Sequence, residues 1–317
     1  MANRLRTAKL VRKVGTEDGD PEEVIGAING AVLDDLGRLL VLDRSFHAVR
    51  VFQDDRPPMT IGRRGSGPLD LRNALAIWPL GSGGFAVADG VLGVKQVDAG
   101  KSAAVLRRTT HPGTDITGAC PTPTGFAVYK TPVPGGRLVQ VFDSLGNAGV
   151  SFGEPYQAES ALVLAILSEG VVGCHPSGGF VYALSGQPFL FGHDPTGKRK
   201  WTLRIQDFAV GVQEENVDSK GRRSIGLSAD VKEFSLITNI VGYGADHALV
   251  QVVYHNQRSL LGRKDFHRLD TYLVDGKNGH AIFVGSDLPR VSQITGEHVV
   301  FVANDPFPQV TVRAFVQ

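Results

Sequence analysis

Asp43-Arg44-Ser45-Phe46-His47 brings a carboxylate, a hydroxyl and an imidazole within five residues. Those are the groups of a Ser-His-Asp hydrolase, which needs an imidazole within hydrogen-bond reach of the nucleophile, a third group orienting it, and a separate oxyanion site. Residues two apart on a strand share a face, and that meets only part of the requirement. Asp and Ser also favour tight turns, because their side chains bond nearby backbone N–H groups. The stretch therefore reads as a turn.

Three further groups of residues invite chemistry. Cys120 in "GACPTPTGF" and Cys174 in "VGCHPSGGF" are followed by His175, but a Cys-Cys-His metal set lacks a fourth ligand. A disulfide needs Cα atoms within about 7 Å, so the expectation is two buried free thiols acting as small apolar side chains. "GRRGSGP" at 62–68 has the glycines of a phosphate loop without the Lys-Ser/Thr ending or following helix that such a loop requires. It reads as a link between repeats.

The elements that must position these groups show in the composition. Glycine is 39 of 317 residues, about 12% against a usual ~7%, which suggests many short elements joined by tight turns. Lys+Arg 33 against Asp+Glu 32 leaves a formal charge of +1, no argument for nucleic acid or anionic membrane. No apolar run approaches the ~18 residues of a bilayer span. The N-terminus "MANRLRTAKLVRKVG" is basic without an apolar h-region. The protein is expected to be periplasmic or secreted if a leader was removed, and otherwise cytoplasmic.

The chain repeats itself. "VRVFQDD" (49–55), "VKQVDAGK" (94–101), "VQVFDSLGN" (139–147), "FLFGHDPTGK" (189–198) and "TYLVDGKNG" (271–279) are copies of one strand running into a turn. A preceding strand recurs as "GRLLVLD", "GGFAVAD", "TGFAVYK" and "GGFVYAL". All are β-branched and aromatic runs bounded by turn formers, with little helical period. Phe52, Val97 and Phe142 lie 45 residues apart, the length of a four-stranded propeller blade. Six copies are counted, at roughly 25–72, 73–115, 116–167, 168–234, 235–289 and 290–317. The last is one strand short, and residues 6–14, "RTAKLVRKV", can supply that strand. The expected fold is all-β: a single six-bladed β-propeller of four-stranded blades, closed by the N-terminal strand.

"INGAVLDDLGRLLVLDRSFHAVRVFQDD…TIGRRGSGP" resembles the NHL-type repeat of six-bladed β-propellers, well over 25–72 and fairly to about 150. The resemblance implies architecture more than activity, because such propellers include lyases, hydrolases, sensors and binding platforms.

Aligning the blades on their middle strands brings Asn29, Asn73, Asp115, Glu169, Asn239 and Gln293 to comparable first-strand positions. These are oxygen ligands of the kind Ca²⁺ takes in sets of six to eight, and some six-bladed propeller enzymes of the lactonase and paraoxonase type hold a central calcium with Glu, Asn and Asp. A wet channel lined with amides is the plainer alternative. Two insertions break the period. One is 211–233; the other, 254–268, carries His255, Arg258, Arg263, Lys264, His267 and Arg268. Long loops on a rigid scaffold are where partner and substrate contacts tend to lie, and this second loop suits a protein partner or anionic ligand. The expected function is a non-catalytic binding or scaffold propeller for a protein partner or small ligand, as a free protein or a subunit of a larger complex. The alternative is a Ca²⁺-dependent hydrolase or lyase with its metal at the channel mouth.

Overall fold

The computed structural model describes residues 2–20, 23–54, 56–100, 104–217, 219–228, 230–256, 268–286 and 288–316. Apolar β-formers between turn residues become strands throughout. Blade one is β2 (Ile28–Leu33), β3 (Leu39–Asp43), β4 (Ala48–Gln53) and β5 (Arg56–Ile61). Blade two is β6 (Ala74–Gly81), β7 (Gly84–Asp89), β8 (Gly93–Ala99) and β9 (Ala104–Thr110). Blade three is β10 (Ile116–Thr122), β11 (Gly125–Lys130), β12 (Val139–Asp143) and β13 (Ala148–Phe152). Blade four is β14 (Gly170–Cys174), β15 (Phe180–Leu184), β16 (Phe189–His193) and β17 (Arg199–Arg204). Blade five is β20 (Glu233–Tyr243), β21 (His247–Asn256), β22 (Arg268–Asp275) and β23 (Ala281–Gly285). Blade six has β24 (Arg290–Ile294), β25 (His298–Ala303) and β26 (Gln309–Ala314) in that order, and β1 (Lys9–Val14) pairs with β26 as its outer strand. The chain is a six-bladed β-propeller closed by its N-terminal strand.

Two compact units emerge. The first holds Met1–Pro121, Ser144–Asn147 and Pro289–Gln317, the second Thr122–Asp143 and Ala148–Leu288. In the first, one core cluster joins Leu40, Leu42 and Val51 of blade one to Ile77, Phe85 and Val87 of blade two. Another joins Leu39, Val41 and Phe52 to Val300, Val302, Val310 and Val312 of blade six. In the second unit, Val181 and Leu190 of blade four pack on Ile237, Val250, Val252 and Val274 of blade five. Blade one is thus apolar on both faces. That explains why β3 is buried along its whole length, as β7 and β15 also are, and reads as a continuous apolar run rather than an alternating one. Each fully buried Val or Leu contributes roughly 1.5–3 kcal/mol.

Two expectations need correction. Cys120 and Cys174 are not free thiols: both are disulfide-bonded, and they are the chain's two cysteines. The chain also carries a helix where no helical period was expected. The apolar run "ALVLAIL" forms α2 (Ala161–Leu167), where the Ser160 Oγ accepts from Val163 N–H as its N-cap. A short α1 (Ala2–Thr7) precedes β1.

Candidate functional site

The Asp-Ser-His stretch lies in the turn between β3 and β4. Asp43 is fully buried, and its carboxylate accepts backbone N–H groups from Gly26 (2.9 Å), Ala27 (3.3 Å), Ser45 (3.1 Å) and Phe46 (3.3 Å). His47 sits at φ 52, a left-handed conformation that tightens the turn. Asp89 repeats the arrangement at the end of β7, accepting from Arg72, Asn73, Val91 and Leu92. In blades one and two, one carboxylate thus ties the segment entering the blade to the turn that leaves its second strand. These acids are occupied in holding the fold.

A second recurring device follows the first strand. Asp34, just after β2, donates its N–H to Arg38 O and accepts from Gly37 N–H. His175, just after β14, does the same with Gly179 and Gly178. Their reach into the next blade differs in chemistry. In blade one, Arg38 pairs with Asp34 (Nε–Oδ2 2.8 Å) and donates to Gly83 O (2.6 Å) and Ala99 O (2.9 Å) of blade two. In blade four, the His175 Nδ1 donates to His247 O at 3.0 Å in blade five. Its Nε2 is buried without a partner, packed where a Cβ on Gly276 would come within 2.5 Å. Burial lowers the His175 pKa, opposed by its backbone bond and by Asp246 and Asp275. His193 at the end of β16 is similar. Its Nδ1 donates to Gly197 O (2.9 Å), its ring stacks on Phe152 at 4.5 Å, and burial lowers its pKa.

The six oxygen-bearing residues proposed for a cation do not share one register. A bulge interrupts the first strand of blade one between Ile28 and Gly30, of blade five between Ile237 and Asn239, and of blade six between Val291 and Gln293. Asn239 and Gln293 follow the bulge, whereas Asn29 lies within it. Asn73, Asp115 and Glu169 precede their strands. Several are engaged with protein groups. Gln293 accepts from Leu33 N–H (2.8 Å) and donates to Leu33 O (3.1 Å), and Asn29 donates to Ala74 O (2.5 Å). Asn239 donates to Gln251 (3.0 Å), which donates to buried Thr271 (3.1 Å). Among the described residues, no group of three or more His, Cys, Asp or Glu is placed to hold a metal ion.

The two insertions behave differently. Arg258, Arg263, Lys264 and His267 lie outside the described residues. His255, in β21, stacks on Phe234 at 4.5 Å. Arg268, opening β22, lies 4.0 Å over the Tyr254 ring and pairs with Asp270 at 3.1 Å. The 211–233 insertion contains a two-stranded ribbon of β18 (Gln213–Val217) and β19 (Arg223–Leu227), which pairs with no other strand among the described residues. Val212 is 59% exposed and Val217 61%. Glu215, Ile225, Val217 and Arg223 share one face, with Glu215 and Arg223 ion-paired at 3.2 Å. α2 packs beside β19. Sequence reasoning marked this stretch as an insertion and missed its strands. "VQEENV" and "RRSIGL" carry period-two apolar residues too sparsely to register.

No protein-family model matches the chain, and no curated protein matches it. Solved structures do match in fold. A DUF4221 family member from Bacteroides vulgatus aligns with TM-score 0.54 at 8% identity, over 98% of this chain and 97% of that one. A catalytically inactive virginiamycin B lyase from Staphylococcus aureus, solved with quinupristin, aligns with TM-score 0.50 at 9% identity, over 96% and 99%. The extracellular domain of a one-component system from B. thetaiotaomicron aligns with TM-score 0.53 at 10% identity, over 95% of this chain and 36% of that one. At such identities the likeness is one of architecture.

Proposed function

We propose that this chain is a non-catalytic binding propeller, acting outside the cytoplasm and holding a protein partner through the β18–β19 ribbon and the adjoining end of blade five. The ribbon is the observation that carries this reading. It stands outside all six blades, its outer edges pair with no strand among the described residues, and it exposes Val212 and Val217 between charged residues. An isolated two-stranded ribbon is marginal in water, and an open edge is a template for strand addition. Keeping one on a rigid ring makes sense where a partner covers it. The disulfide supports the compartment, since such bonds persist in oxidising surroundings. Kinship with NHL-type propellers belongs to the same reading and rests on the repeat at 25–72.

The test is site-specific photo-crosslinking in cells of the source organism. A crosslinker at Val217 is expected to give an adduct of defined mass. One at Val105, equally exposed on β9 at 63%, is expected to give none. Replacing residues 212–228 by a short Gly-Ser turn should abolish the adduct partner's co-purification while keeping the thermal transition. A ribbon-less protein that still holds the partner would refute the assignment.

A further inference from the structure

The first unit contains a pocket of about 540 Å³, within the range that holds small ligands. It lies where the chain leaves β1 and passes the outer strands of blade one. Val14, Phe52, Pro58 and Phe307 supply apolar walls, and Lys13, Glu17, Glu23, Asp54 and Arg56 supply charge. Two of those charges are already engaged. Asp54 pairs with Arg12 at 3.2 Å, and the Lys13 ammonium lies 5.7 Å from the Phe307 ring centre. The Glu17 and Glu23 carboxylates and the Arg56 guanidinium make no hydrogen bond or ion pair among the described residues. Thr16 also lines the pocket, but its hydroxyl is turned away into the loop, shielded from solvent. It converges with the Glu23 carboxylate on one side of the loop: a Cβ on Gly19 would meet Thr16 Oγ1 at 2.3 Å and Glu23 Oε2 at 3.4 Å.

The pocket thus offers unpaired acceptors, one unpaired bidentate donor and an aromatic wall. A simple amine would satisfy only the acceptors, and a simple carboxylate only the guanidinium. We infer that this pocket binds a small zwitterion with an apolar body, of the class of an apolar α-amino acid, with its ammonium on Glu17 and Glu23 and its carboxylate on Arg56. Phe52 packs against the apolar body. Because the lining comes from both the closing strand region and blade one, the bound molecule clasps the two.

Isothermal titration calorimetry tests this with L-phenylalanine, L-leucine, 2-phenylethylamine and 3-phenylpropanoate. The amino acids are expected to bind with Kd below about 1 mM and to raise Tm with concentration. Each half-molecule should bind about tenfold more weakly. Glu23 and Arg56 are exposed, so E23Q and R56M should fold. E23Q should selectively weaken the amine and R56M the carboxylate, each by about tenfold, and each should weaken the amino acids. Three outcomes would overturn the inference: no binding of any of the four at about 10 mM, amine binding as tight as the amino acids, or affinities unchanged in both variants.

Discussion

Asp43 shows how one carboxylate can look catalytic and be structural. Four backbone N–H groups converge on it, and a carboxylate so engaged is committed to holding the turn rather than orienting an imidazole. Removing it strands donors that have no other acceptor, which is costly when they are shielded from water. D43A is expected to destabilise the protein by about 2–4 kcal/mol, measured by chemical denaturation. S45A should change stability by less than about 0.5 kcal/mol, because the Ser45 hydroxyl makes no hydrogen bond among the described residues. A triad would have shown the opposite ordering in any hydrolytic assay. The turn itself was legible in the sequence, since Asp and Ser are turn formers by local chemistry. The inter-segment bonds to Gly26 and Ala27 were not, because nothing local links positions 26 and 43.

At the scale of elements, equivalent blade junctions are built from different chemistry. Arg38 with Asp34 clamps blade one to blade two. His175 clamps blade four to blade five as a neutral imidazole, and His193 is also buried in the same unit. Protonating either Nε2 would place a charged N–H in a buried site with no acceptor. Both folded pKa values lie below the unfolded value of about 6.5. The unfolded chain therefore binds protons first as pH falls, so stability is fully present above about 6.5 and is lost progressively below it. The nearby charges are Asp246 with its partner Lys277, and Asp275, around His175; Asp194 and Arg199 face His193. Tm is expected to fall between pH 7.5 and pH 5, measured by scanning calorimetry. H175N, whose amide can keep the bond to His247 O, should make that fall shallower. An unchanged slope in H175N would assign the acid sensitivity elsewhere.

At the scale of the whole chain, a strand and a disulfide each tie distant segments together. β1 completes blade six and removes the open edge that β26 would otherwise present. The Cys120–Cys174 bond closes a chain loop of roughly fifty residues, which the chain-entropy model values at about 4 kcal/mol. Reduction with dithiothreitol should lower the denaturation midpoint correspondingly, and the double variant C120A/C174A should match the reduced protein and ignore the reductant. The periodic strand signal by itself determined the architecture: six copies of an apolar, Gly-bounded unit have one way to bury both faces, and a missing last strand has one candidate to replace it. The side-chain period is local, so it is written along the chain. Tertiary structure alone decided the rest. It placed two distant cysteines together, gave His175 the junction role that Arg38 and Asp34 share, and raised "VQEENV" and "RRSIGL" into a ribbon outside the blades. It also spread the six candidate oxygen residues over different registers, because each first-strand bulge shifts the faces by a residue that no sequence alignment of blades can count. Contacts between residues far apart in the chain depend on where whole blades come to rest, and that is settled only when the cores pack.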